Sequence, residues 1–348
     1  MATVPPAILR ALSLSDPSKV QLSGLGSGFT STGVLHAQVP TQNGTEERQY
    51  FVKTSSSGKS ASEMFQGEYA SLNAISSSVP GFCPRALAWG SLDEESNKPK
   101  SFFLATEYLD LSGAMGRSNG DENTPTSLAY RLGKLHTTPA PPDPETGRRR
   151  FGFPVATFCG DTKQPNQFYD SWAEFYANER LLTILKTSEE RNGRDEGLRE
   201  LVEKTAGKVV PRLLGDGHLG YSSSGKGRGL FLLLCMGICG VGMRIGGRLW
   251  VMGVMRGLAL WFMMLVRFMG IVSLSWGLCI CLGGFGSKFF DQYHRVVPKT
   301  EPVEEYDDRV RLYELYHHLN HHAIFGGGYR SGAMSIMQKL VKEYGDAK

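Results

Sequence analysis

Tyr50-Phe-Val-Lys53, preceded by Gly24-Leu-Gly-Ser-Gly28 and followed by Phe65-Gln-Gly-Glu-Tyr69, is the stretch on which the reading of this chain turns. A glycine-rich hairpin lets backbone N–H groups approach phosphate oxygens because no Cβ intervenes, and Gly24, Gly26 and Gly28 are spaced for that task. A lysine on the third strand supplies a point charge for the α- and β-phosphates, and a helix glutamate holds it in place. Lys53 and Glu68 stand in that order. Taken singly, Lys53 reads as a surface lysine and Glu68 as part of a solvated helix face. On the residues alone those bland readings are favoured.

Around this stretch, Gln21 to Tyr108 has a strand-like pattern: the Gly-rich turn, an apolar run at Val34 to Val39, a polar Asn43-Gly44 turn, then Tyr50 to Lys53. This predicts an antiparallel β meander. Ser60 to Ile75 follows with Phe65, Tyr69, Leu72 and Ile75 at helical spacing, Ser62 as a candidate cap and Glu63 in the first turn. Phe102 to Leu109 reads as a buried strand leading into a linker. Beyond it, Thr126 to His136, Tyr169 to Leu185, Arg194 to Leu214 and Val310 to Ala323 have helical spacing, with a Pro-rich break at Pro139 to Pro144. The expected organisation is a β-rich lobe over residues 1–109 and a mainly helical lobe over residues 110–348.

A chain of 348 residues with about two-fifths apolar content is long enough for one large or two medium cores. The net charge of +4 is small, and Lys and Arg are spread out, so nothing calls for nucleic acid. Met1 to Arg10 lacks the charged start, apolar core and cleavage site of an export signal. Six cysteines in a chain this long do not resemble a disulfide framework. A reducing, cytoplasmic setting is therefore expected, with Asn43-Gly44-Thr45 an unused glycosylation triplet. His317, His318, His321 and His322 read either as a polar helix face or, through His317 and His321, as a metal pair; neither metal binding nor catalysis is favoured.

The order and spacing of Tyr50 to Lys53 and Phe65 to Tyr69 resemble the small lobe of the fructosamine (ketosamine) kinases. Leu132-Gly-Lys-Leu-His136, Phe151-Gly-Phe-Pro154 and Cys159-Gly-Asp-Thr162 through Asn166 to Trp172-Ala-Glu-Phe-Tyr176 match as well. So does Leu312-Tyr-Glu-Leu-Tyr-His-His-Leu-Asn-His321, followed by Phe325-Gly-Gly-Gly-Tyr-Arg330. The resemblance implies an α+β, bilobal, protein-kinase-like fold: a five-stranded antiparallel sheet with one helix, then a helical lobe. It implies ATP and Mg2+ as cofactors, with Glu107, Tyr108 and Leu109 as the hinge that meets adenine. It also puts the His321 helix on the sugar side, so Asn320, His321 and Tyr329 are candidate substrate contacts, with Trp172 either a sugar platform or core.

The implied reaction is ATP-dependent phosphorylation of the sugar 3-hydroxyl of ribulosamine or fructosamine adducts on protein lysines, the first step in shedding them. Glycated proteins or small ketosamine-lysines would be the partners.

Phosphoryl transfer needs a carboxylate to receive the hydroxyl proton and oxygen ligands for magnesium. The family carries these as His-Gly-Asp-Leu-Trp-x-Gly-Asn and a later Asp before Tyr-Gly-His-x-Glu. Neither motif is present, so no catalytic or metal residue is assigned in this reading frame. Asp216-Gly-His218 reads as turn chemistry. Between Gly229 and Gly286 there is no Asp, Glu, Lys, His, Asn or Gln, and the only charges are Arg244, Arg248, Arg256 and Arg267. The same block holds seven of the twelve Met and three of the five Trp, residues whose codons are rich in G and T.

That bias suggests an out-of-frame translation, tested by reading the last base of each codon with the first two of the next. Met236 to Gly237 must then give glycine, and Met263 to Met264 must give aspartate. Cys235 to Met243 permits His-Gly-Asp-Leu-Trp-Ser-Gly-Asn, and Arg267 to Ser273 permits Phe-Tyr-Gly-His-Ser-Glu with the same displacement. A compensated one-base shift over about residues 229–285 is the expectation. Two rival readings are a catalytically dead kinase-like binding protein and a membrane protein, since the uncharged run 268–286 is close to the roughly 20 residues that span hydrocarbon.

Overall fold

The computed structural model describes residues 4–26, 30–93, 100–109, 127–138, 142–215, 244–245, 248–249 and 287–345. The chain divides into two compact units.

In the first unit, β1 (Val20–Gly26), β2 (Ser31–Thr41), β3 (Gly44–Ser55), β4 (Ala86–Ser91) and β5 (Phe102–Glu107) form one antiparallel sheet in the order β1-β2-β3-β5-β4. The alternation of strand residues gives the sheet two different faces. Leu35, Ala37, Val52, Phe103 and Ala105 share one, and a short helix α1 (Pro6–Ala11) buries Ile8, Leu9 and Ala7 against it. Fully burying side chains such as Ile8 and Leu9 contributes about 1.5–3 kcal/mol each. Periodicity did not predict α1, because six residues span too few turns to show a stripe.

Helix α2 (Lys59–Ser78) follows β3 and buries Phe65, Leu72 and Ile75, as its spacing predicts. Two details differ from expectation. The helix starts after Gly58, at φ +58°, without a side-chain cap, and the Ser62 N–H donates to the Gly58 carbonyl. Glu68, rather than Tyr69, completes the buried stripe with Phe65 and Leu72.

The second unit is mainly helical. Helix α3 (Leu128–Thr137) is capped by Ser127, whose hydroxyl accepts from the Tyr130 N–H. A hairpin of β6 (Thr157–Cys159) and β7 (Thr162–Gln164) leads to α4 (Trp172–Phe175), a π-helical stretch (Tyr176–Leu182) and α5 (Thr183–Asn192). Then come α6 (Glu196–Lys204), a second π-helical stretch (Thr205–Val209) and α7 (Val210–Leu214). After α8 (Ser287–Val296), α9 (Tyr306–Phe325) forms the centre of the core with Leu312, Tyr313, Leu315, Tyr316 and Leu319, all buried. It stops at Gly326, φ +66°, and α10 (Tyr329–Tyr344) packs back on it. Of residues 229–285, only two short paired strands, β8 (Arg244–Ile245) and β9 (Arg248–Leu249), belong to the described residues. The run 268–286 lies outside them, and among the described residues no helix is long and apolar enough to cross a membrane.

Candidate functional site

The residues expected from the sequence to meet nucleotide lie in the first unit. Lys53 on β3 and Glu68 on α2 meet with Nζ 2.6 Å from Oε1, the two residues being 4% and 3% exposed. Withdrawal from water lifts the Glu68 carboxyl above its ordinary value, and the Lys53 ammonium pulls it the other way. Such a pair is costly to bury. It fixes the direction of the lysine side chain.

Cross-strand register builds a row around this pair. Gly26 on β1 stands opposite Thr32 on β2, Thr32 opposite Lys53, and Lys53 opposite Leu104 on β5. The β1–β2 ladder slips between Gly24 and Gly26, a β-bulge. Gly24 is exposed, and a Cβ there would meet no atom within 4 Å. Gly28 lies outside the described residues. The glycine that backbone packing demands is Gly33, where a Cβ would stand 2.7 Å from the Ser23 carbonyl oxygen.

Glu107 ends β5 and is tied to Arg85 twice: the Arg85 guanidinium Nε lies 2.7 Å from Oε1, and the Arg85 N–H donates to Oε2 at 3.0 Å. The side chain is therefore engaged, while Tyr108 and Leu109 follow it into solvent at 36% and 41% exposure.

The candidate substrate residues of the second unit separate into two sets. Trp172 is 2% exposed; its indole N–H donates to the Tyr313 hydroxyl at 2.9 Å, and its ring stacks on Phe175. This corrects the expectation of a sugar platform: a ring so enclosed is core. Asn320 is also buried, its amide donating to the Cys159 carbonyl at 3.3 Å, so it anchors the β6–β7 turn to α9 rather than facing solvent.

His321 and Tyr329 do come together, with ring centroids 5.0 Å apart, and Phe325 packs 6.0 Å from His321 and 6.1 Å from Tyr329. Burial, then the neighbouring His318, lowers the His321 pKa, so its ring is neutral at neutral pH. Phe325, 64% exposed, was not among the sequence candidates; its place before three glycines was the available signal. Among the described residues no group of three or more His, Cys, Asp or Glu could hold a metal ion.

The family model for fructosamine kinase matches residues 23–214 and 274–343. Over 321 residues the chain is 29% identical to a ketosamine-3-kinase of Mus musculus, covering 86% of this chain and 90% of the relative. It is 28% identical over 309 residues to a chloroplastic protein-ribulosamine 3-kinase of Oryza sativa subsp. japonica, covering 86% and 74%. A solved Thermobifida fusca YX-ER1 protein assigned as a fructosamine-3-kinase shares the fold at a TM-score of 0.61 and 18% identity, covering 97% of this chain and 99% of that one. With the family model spanning most of the chain, and an antiparallel sheet carrying a lysine–glutamate pair ahead of a helical region, the chain belongs to the fructosamine kinase family of phosphotransferases.

Proposed function

We propose that this protein is by descent an ATP-dependent ketosamine 3-kinase for ribulosamine or fructosamine adducts of protein lysines, or for the free ketosamine-lysines, and that the chain as written, lacking the catalytic loop, is inactive or nearly so. The observation that carries this reading is the pattern of the family match: it holds over residues 23–214, breaks, and resumes at residue 274. The break overlaps the block that contains no carboxylate. On either side of it the chain matches the family model.

Phosphoryl transfer is mostly positioning and charge neutralisation. In this chain Lys53 would grip the nucleotide phosphates and Glu68 would hold Lys53 in line. Glu107, Tyr108 and Leu109 would present backbone to adenine. Magnesium enters the proposal with the nucleotide, since the described residues supply no cluster of metal ligands. The exposed rings of Phe325 and Tyr329, with the half-buried His321 beside them, are the proposed sugar-facing surface. The setting is cytoplasmic in this proposal.

The base and the remaining ligands are proposed to be encoded one base out of register across about residues 229–285. Sequencing the transcript over codons 225 to 290 tests this. The displaced frame is expected to read through His-Gly-Asp-Leu-Trp and the later aspartate without a stop. A transcript that confirms the printed frame would make the chain a catalytically dead relative, the second reading that the lack of Asp and Glu between Gly229 and Gly286 supports.

A further inference from the structure

Thr32 is 6% exposed, and its hydroxyl, itself without solvent contact, has no hydrogen-bond partner among the described residues. A buried hydroxyl left unpaired costs about 1–3 kcal/mol, and native structures leave few. Valine would fill nearly the same volume without that cost. An explanation must come from the position of Thr32.

Directly paired residues of an antiparallel ladder place their side chains on the same face. Thr32 is paired with Lys53, so its hydroxyl shares the face from which the ammonium meets Glu68. On its other side the partner is Gly26, at the β1 bulge, where the ladder is interrupted and no Cβ intrudes. Bulges next to sites re-aim groups toward a ligand. The hydroxyl thus lies between a lysine point charge and a glycine backbone, in the row that the proposed kinase would turn toward phosphate.

We infer that the Thr32 hydroxyl is a phosphate ligand, donating a hydrogen bond to an oxygen of the bound nucleoside polyphosphate beside the one gripped by Lys53. The inference rests on the ATP-dependent reading given above. In the free protein the hydroxyl is unpaired; with nucleotide bound it gains a charge-assisted acceptor, the stronger class of hydrogen bond. Thr32 is a binding residue in this account, and the unpaired hydroxyl is a stability cost maintained for the ligand.

The test has readouts that move in opposite directions. MgADP affinity is measured by calorimetry, and Tm without nucleotide, for the full chain, Thr32→Val and Thr32→Ser. Thr32→Val should lose roughly tenfold or more in MgADP affinity, because a hydrogen bond to a charged group is removed. The same variant should melt about 2 °C higher than the parent when no nucleotide is present. Thr32→Ser keeps the hydroxyl and should bind MgADP within about threefold of the parent. A Thr32→Val protein that melts higher but binds MgADP like the parent overturns the inference and leaves the kinase reading untouched. A parent chain that binds no nucleotide overturns both.

Discussion

Lys53 and Glu68 are joined at 2.6 Å by side chains fifteen residues apart, one from a strand and one from a helix, in surroundings that exclude nearly all solvent. Removing one partner leaves the other charge buried and uncompensated, which costs about 3–5 kcal/mol. Lys53→Met and Glu68→Gln should therefore both lower stability, and nucleotide affinity should fall furthest in Lys53→Met. Chemical denaturation followed by nucleotide titration of the folded fraction checks this. Equal nucleotide binding by Lys53→Met and the parent would remove Lys53 from the site.

The second unit allows a direct contrast between core and surface aromatics. Trp172→Ala should cost about 3–5 kcal/mol of stability, since the indole is 2% exposed and its N–H is bonded to Tyr313. Phe325→Ala, at a side chain 64% exposed, should change stability by less than about 0.5 kcal/mol. If His321, Phe325 and Tyr329 form the sugar-facing surface, Phe325→Ala should nonetheless weaken ketosamine binding several-fold. Melting curves and ketosamine titrations of the two variants separate the cases. A Phe325→Ala protein with parental ketosamine affinity would move the sugar site elsewhere.

How much of this was legible depends on the physical signal each residue left. Phe65, Leu72 and Ile75 repeat at helical spacing, and α2 follows them. The apolar run from Val34 to Val39 predicts β2, and the order of glycine turn, lysine and glutamate, with the family resemblance, predicts the Lys53–Glu68 meeting. Glu68 itself was misread when taken alone, because a carboxylate inside an apolar stripe reads as solvated until its partner is known.

The π-helical stretches at Tyr176–Leu182 and Thr205–Val209 had no local signature, being a hydrogen-bond shift inside an otherwise ordinary helical pattern. Whether Trp172 is core or platform could not be decided from spacing either, since its enclosure depends on Tyr313, 141 residues away. Thr32 was invisible for the same reason: the missing partner of a hydroxyl is a fact of packing.

Asp195 caps α6 and also receives the Arg330 guanidinium from α10, at 2.9 Å for Nη2 to Oδ1. The Arg330 hydrogen bond, then the Leu198 N–H, lowers the Asp195 carboxyl to about 2. A depressed acid stabilises the fold while it is ionised. The contribution is therefore full above the unfolded value of about 3.9 and is lost as pH falls toward about 2. With the side chains of Arg330 and Asp195 at 40% and 30% exposure, solvent screening holds the ion-pair part to about 1 kcal/mol or less. Asp195→Asn should be less stable than the parent at neutral pH, and the gap should narrow between about pH 4 and pH 2. A gap independent of pH would assign the loss to capping alone.

The central claim, a ketosamine 3-kinase with its nucleotide-binding elements intact and its base displaced by one reading frame, is tested most directly by phosphate transfer. Two proteins are compared with MgATP and a peptide bearing a ribulosamine- or fructosamine-modified lysine: the chain as written, and the chain with residues 229–285 replaced by the displaced-frame translation. The account predicts that the second protein places phosphate on the sugar 3-hydroxyl. The first, lacking the carboxylates, should be slower by at least about a thousandfold, since positioning and charge neutralisation are lost together. Comparable turnover by both proteins, or none by the restored protein while it still binds MgATP, would contradict it.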